Sequence, residues 1–247
     1  MSKSLEKKIE IDLNELFRGL KDKFAQFSNQ IELAIINPLK ESGLEYILDE
    51  TGKLLSEIEE LYKKQLSKVL ELEKSGYEKG HDVTGTLEYK RENDKLGEID
   101  NAYYKGVRDQ FEAYIRSMDE DSGRKVFKGL SNVVGKGFNK TLKSYQDMWK
   151  TYVKIREHKD ALRYSNFHHE FGNVMVPLHR IMGDLSEKNK WWIQHVERQL
   201  KERGLIKNYS IKGCSLDIYS YFKKLCLDYL PELKEALIRP KETLKKI

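Results

Sequence analysis

Proline is scarce in this chain, with four residues in 247, and cysteine is scarcer still, with two. Cys214 and Cys226 stand twelve apart, which matches neither a zinc-ligand spacing nor a disulfide framework, so a reducing compartment is expected. Long apolar runs are missing too: no window approaches the roughly 18 uncharged apolar residues of a spanning helix. The opening segment, MSKSLEKKIEIDL, lacks the apolar stretch of a secretory signal. In that setting the sequons at Asn139 and Asn208 carry no glycosylation meaning. What is abundant is charge, 34% of residues, beside 39% hydrophobic residues. That balance excludes a disordered chain and suits charge-covered helices. The formal net charge of +5 permits attraction to phospholipid or nucleic acid without demanding it.

The apolar residues recur with a helical period. Leu13, Phe17, Leu20, Phe24, Phe27, Ile31 and Ala34 alternate steps of four and three, a heptad seam that keeps one stripe toward a partner helix. Asp12 or Asn14 is placed to cap its start. Pro38 lacks an N–H and crowds the carbonyl four residues back, so a kink or an end is expected there. The rhythm resumes through Leu55, Ile58, Tyr62, Gln65, Val69 and Leu72. Gly76, Gly80 and Gly85 mark a turn over residues 75–86. A second helix over 87–118 buries Leu96, Ile99, Tyr103, Val107, Phe111, Tyr114 and Met118. In the turn 118–123, Asp121 or Ser122 is the expected cap of the next helix.

The third helix, over 124–162, is the most informative segment. Phe127, Leu130, Val134, Phe138, Leu142, Tyr145, Trp149 and Tyr152 share one face at 100° per residue. Lys125, Lys128, Lys136, Lys140, Lys143, Lys150 and Lys154 fall within about 120° of arc on the other. Gly129, Gly135 and Gly137 cut against a rigid start. A solvated bundle face would also be rich in lysine, so the stripe alone admits both a plain surface and an anion-binding one.

Beyond Ser165 the texture changes, and SNFHHEFGN reads as a junction. Helices are expected over 174–185 and 191–203, separated near 183–188. Gly204 ends the second of these, with a short extended piece after it. A last helix over 218–230 breaks at Pro231. The fold class is all-α: an elongated bundle of long antiparallel amphipathic helices over 1–165, with a smaller C-terminal helical region over 166–247.

Three long amphipathic helices, a proline in the first and a lysine stripe on the third together resemble the BAR-domain superfamily and its F-BAR relatives. IELAIINPLKE (residues 31–41) resembles the bend in the first long helix of such domains, and YYKGVRDQFEAYIRSM (103–118) is a weaker echo. The resemblance covers residues 10–165 and implies a crescent-shaped antiparallel homodimer on anionic membrane. In it Pro38 is the bend, and Lys125, Lys128, Lys136, Lys140 and Lys143 meet lipid headgroups. The glycines of the second and third helices, and the residues beyond Ser165, depart from that pattern.

Other chemistry is legible in traces. Arg163 and His168 spell R-x4-H, which resembles the motif of HEPN-type ribonucleases, also all-helical dimers. There Arg163 would stabilise a scissile phosphate and His168 would serve as acid or base, although Tyr164 stands where that family has a polar residue. His158, His168, His169, Glu170 and His179 suggest a metal, but their spacings share no helix face, so no metal and no cofactor are expected. GLSNVVGKG is one residue too long for a phosphate loop and ends in glycine where a hydroxyl is needed. Trp191 and Trp192 read as packing anchors before base-stacking platforms. The expected function is therefore a non-enzymatic, cytoplasmic protein peripheral to an anionic phospholipid membrane. It is expected to be a homodimer, while the seam at 13–34 fits packing either within one chain or against a second copy. A nucleic-acid-linked protein and a helical protein adaptor are the alternatives.

Overall fold

The computed structural model describes residues 12–245, apart from scattered side chains within that span. Among these residues every regular element is helical and none is a strand. We number six helices. α1 covers 13–44, α2 is Glu45–Glu78, α3 is Leu87–Ser117, α4 covers 120–156, α5 covers 165–202 and α6 covers 216–245. No described helix is long and apolar enough to cross a membrane.

The chain divides into two compact units, and the division does not fall at residue 165. One unit holds the described residues up to Ser42, Phe127–Tyr209 and those from Glu232 onward. The other holds Gly43–Val126 and Ser210–Pro231. The C-terminal region is thus shared between both units instead of forming a domain of its own. Interleaving of this kind depends on contacts between distant segments, which no local pattern reveals.

In the first unit α1 and α4 run antiparallel. Phe27 meets Tyr145 with ring centroids 5.6 Å apart, and the later α1 residues Ala34 and Ser42 meet the earlier α4 residues Gly137 and Gly129. Leu13, Phe17, Leu20, Phe24, Phe27 and Ile31 are all buried within the single chain. The matching heptad series on α4, Phe127, Val134, Thr141, Met148 and Ile155, is buried from end to end. Of the two packings open to the seam, the one within a single chain is found. α5 lies antiparallel along α4, with Tyr152 on Phe171, Trp149 on His179 and Asn139 on Asn189.

Pro38 does not break α1. Ile36 and Asn37 keep right-handed helical dihedrals, and the non-helical backbone falls at Gly43, with φ 89°. Beyond the proline the chain kinks at Gly43, within Lys40–Leu44, and before it stands a widened turn, Glu32–Ile36, with π-helical hydrogen bonding. Such a turn takes up one extra residue and relieves the crowding between ring and carbonyl. The same device at Leu225–Tyr229 carries α6 past Pro231, where a break was expected. The junction expected at 165–173 and the gap expected near 183–188 are both helical, inside α5.

The glycines of α4 serve close approach. A methyl group on Gly137 would collide with the carbonyl oxygen of Ala34, and its carbon would lie 3.1 Å from the Ala34 carbonyl carbon. A methyl group on Gly129 would lie 2.8 Å from Ser42 Oγ and 3.2 Å from the Pro38 carbonyl oxygen. Two backbones are in contact here, as only glycine allows.

The second unit is a helical hairpin with a short third arm. Gln65 on α2 donates to the Glu92 carboxylate on α3 at 2.9 Å and to its backbone carbonyl at 2.8 Å. Tyr89 donates to Glu73, and Tyr46 stacks on Tyr114 at the far end. Thr86 caps α3 by accepting from the Tyr89 N–H. The arm from Ser210 docks on the end of α3, where Tyr219 and Lys223 both donate to Glu112.

Candidate functional site

The exposed face of α4 is the best-formed candidate. Its apolar side is committed to α1 and α5, and lysine is the commonest residue on what remains. Lys125, Lys128, Lys136, Lys140, Lys143, Lys150 and Lys154 are all exposed. None of the seven takes part in an ion pair among the described residues. Lys125 belongs to the hairpin unit, and the other six to the α1–α4–α5 unit. From Lys136 to Lys154 the stripe extends about 27 Å at 1.5 Å per residue. Asp147, half-buried, is the single acidic residue between Gly123 and Arg156. A row of ammonium groups without ion pairs along a helix attracts anions, and the attraction fades over a Debye length of about 8–10 Å.

The R-x4-H pair is placed only in part. The side chain of Arg163 lies outside the described residues. His168 is turned among Tyr152 and Phe167, with ring centroids 6.3 and 5.5 Å away, and neither ring nitrogen has a hydrogen-bond partner. Burial holds its pKa below the ordinary histidine value.

The other histidines lie in separate surroundings. His158 Nδ1 accepts from the Asp160 N–H, and His179 shares a hydrogen bond with Tyr145 at 2.9 Å. The Glu170 side chain lies outside the described residues. Among the described residues no group of His, Cys, Asp and Glu side chains is placed to hold a metal. Trp192 is fully buried against Phe127, as a packing anchor and not a base-stacking platform.

One cleft in the hairpin unit, of about 550 Å³, is lined by Glu112, Arg116, Lys212, Cys214, Leu216 and Tyr219 among others. Most of its polar groups are engaged within the fold. Lys223 and Tyr219 hold the Glu112 carboxyl below its usual pKa, and Lys212 donates to the Met118 carbonyl. Burial pushes the Cys214 thiol up to about 11, so it is protonated at neutral pH and is a poor nucleophile.

The lysine residues were legible in the sequence, whereas their freedom from carboxylates required the fold. A second signal was hidden by the interleaving of the two units. The α1–α4–α5 unit carries 28 Lys and Arg against 18 Asp and Glu, a formal +10, while the hairpin unit carries 17 against 22, a formal −5. Comparison with protein-family models, with curated proteins and with solved structures finds no match to this chain.

Proposed function

We propose that this chain is a non-enzymatic protein that binds anionic phospholipid surfaces peripherally, through the lysine face of α4. The carrying observation is the row from Lys128 to Lys154, exposed along one helix and without ion pairs among the described residues. Each lysine near an anionic leaflet contributes about 1 kcal/mol, so six on one rigid face make a reversible, salt-sensitive binder. The make-up of the face favours lipid over nucleic acid. It is lysine without arginine until Arg156, and it lacks the exposed aromatic rings on which bases stack. The resemblance to BAR domains supports the reading through this chemistry alone, since the α1 seam is already satisfied within one chain.

Co-sedimentation with phosphatidylserine-containing vesicles at low salt tests the proposal. The protein should pellet, and should be released when salt is raised to about 0.5 M. Lys136→Glu/Lys140→Glu/Lys143→Glu should weaken binding roughly a hundred-fold, at about 1 kcal/mol per charge removed. Absence of pelleting at low salt ends the reading, and tighter binding to single-stranded RNA than to vesicles replaces it with the nucleic-acid one.

A further inference from the structure

The cleft of about 550 Å³ in the hairpin unit lies within the size range of small-molecule sites, and its charges do not cancel. Neighbouring segments of one unit build it. Glu112, Ile115 and Arg116 are spaced to share one face near the end of α3, and Leu216 and Tyr219 do the same at the start of α6. Ile211 donates its N–H to the Gly123 carbonyl and accepts from the Cys214 thiol at 2.9 Å, which fixes the turn that leads into α6. Ile115 and Ile211 are buried and make an apolar floor, while Leu216 is 77% exposed beside them. Glu112 is the single acidic lining residue among the described residues, and Lys223 and Tyr219 already donate to it. Arg116 and Lys212 are left as surplus positive charge, and Arg116 is exposed and in no ion pair among the described residues.

We infer that this cleft binds a free aliphatic carboxylate, with the Arg116 guanidinium on the carboxylate and the chain along Ile115, Ile211 and Leu216. A guanidinium suits the headgroup because its planar fork can donate two parallel hydrogen bonds to one carboxylate. Lys212 donates to the Met118 carbonyl and keeps further N–H donors for the same anion. The chain has its own reason to enter, since it leaves water itself and covers the exposed Leu216 side chain. A small inorganic anion would use the cations alone, and a neutral chain the apolar surface alone. Both surfaces meet in one recess, so the molecule that fits carries both chemistries. The cleft shares no residue with the lysine face, and the inference does not rest on the proposed membrane role.

Cys214 supplies the reporter, because it lines the cleft half-buried while Cys226 is buried. Decanoate, added to the full chain below its micellar concentration, should slow alkylation of Cys214 by iodoacetamide at mildly alkaline pH, read by mass spectrometry. Acetate and decanol at the same concentration should not. Arg116→Gln changes an exposed side chain and should raise the decanoate concentration for half-protection about ten-fold, as for loss of a charge-assisted hydrogen bond. Leu216→Ser should raise it by a smaller factor. Lys136→Glu/Lys140→Glu/Lys143→Glu should leave protection unchanged, and Arg116→Gln should leave vesicle pelleting unchanged, which separates this site from the lysine face. No protection by decanoate, equal protection by decanol, or equal protection of Arg116→Gln and the parent overturns the inference.

Discussion

Single residues in this molecule have effects whose sign the fold decides. Alanine is the better helix former by about 1 kcal/mol, so a helical Gly→Ala change ordinarily stabilises. Gly183, inside α5, has nothing within 4 Å of an added methyl group, and Gly183→Ala should raise stability by about 0.5–1 kcal/mol. Gly137→Ala should do the reverse, because the methyl group would meet backbone that cannot swing aside, at a loss of about 1–3 kcal/mol. Urea titrations of the two variants beside the parent check this, and a stabilised Gly137→Ala would refute the packing. His168 predicts a pH dependence. Burial holds its folded-state pKa below the ordinary histidine value of 6.5, so the unfolded chain binds the proton more readily. Stability from this group is full above the unfolded pKa and is lost as pH falls through it toward the folded one. Thermal melts of His168→Leu should have a shallower slope than the parent between about pH 5 and 7.

At the scale of elements, local chemistry was readable and packing was not. The span expected for α3, 87–118, differs by one residue from the observed Leu87–Ser117, because its apolar rhythm and the glycine-marked turn before it are both local signals. Asp12 caps α1 by accepting from the Asn14 N–H, as its position implied. The start of α4 went otherwise. Asp121 and Ser122 were the expected caps, yet the Asp119 carboxylate accepts from the Ser122 N–H at 2.7 Å. Three acids within a turn are equivalent in composition, and only the backbone entry angle selects one. Asp119→Ala should therefore lower the melting temperature more than Asp121→Ala. Thr86→Ala should cost about 1 kcal/mol, as for the loss of a helix cap. Pro38 and Pro231 were misread for a different reason. The rule that proline ends a helix assumes a regular ladder before it, and both prolines follow a widened turn. The candidate site was legible as a list of lysines, because solvent-facing positions on a long helix follow from period alone. The burial of the α1 seam in its own chain was not, since a heptad pattern reads the same against an internal helix and an external one.

The whole molecule is an all-α chain whose charge is divided between two units that alternate along the sequence. A charged surface senses local fields and not a sum over the chain. Lys136→Glu/Lys140→Glu/Lys143→Glu and Lys64→Glu/Lys68→Glu/Lys90→Glu both move the formal charge from +5 to −1. The first should elute far earlier from a cation exchanger than the second, and equal elution would show that the α4 face does not act as a unit.

The glycine contacts on α4 have a last consequence. A heptad seam looks the same to its partner after a slide of seven residues, so α1 and α4 have several near-equivalent ways to lie together. Such a slide would bring Leu130 or Ser144 to the Ala34 carbonyl in place of Gly137, and a side chain would stand where only a hydrogen fits. Gly137 and Gly129 thus work as the notches of a key, leaving one alignment of an otherwise repetitive pair open to the folding chain.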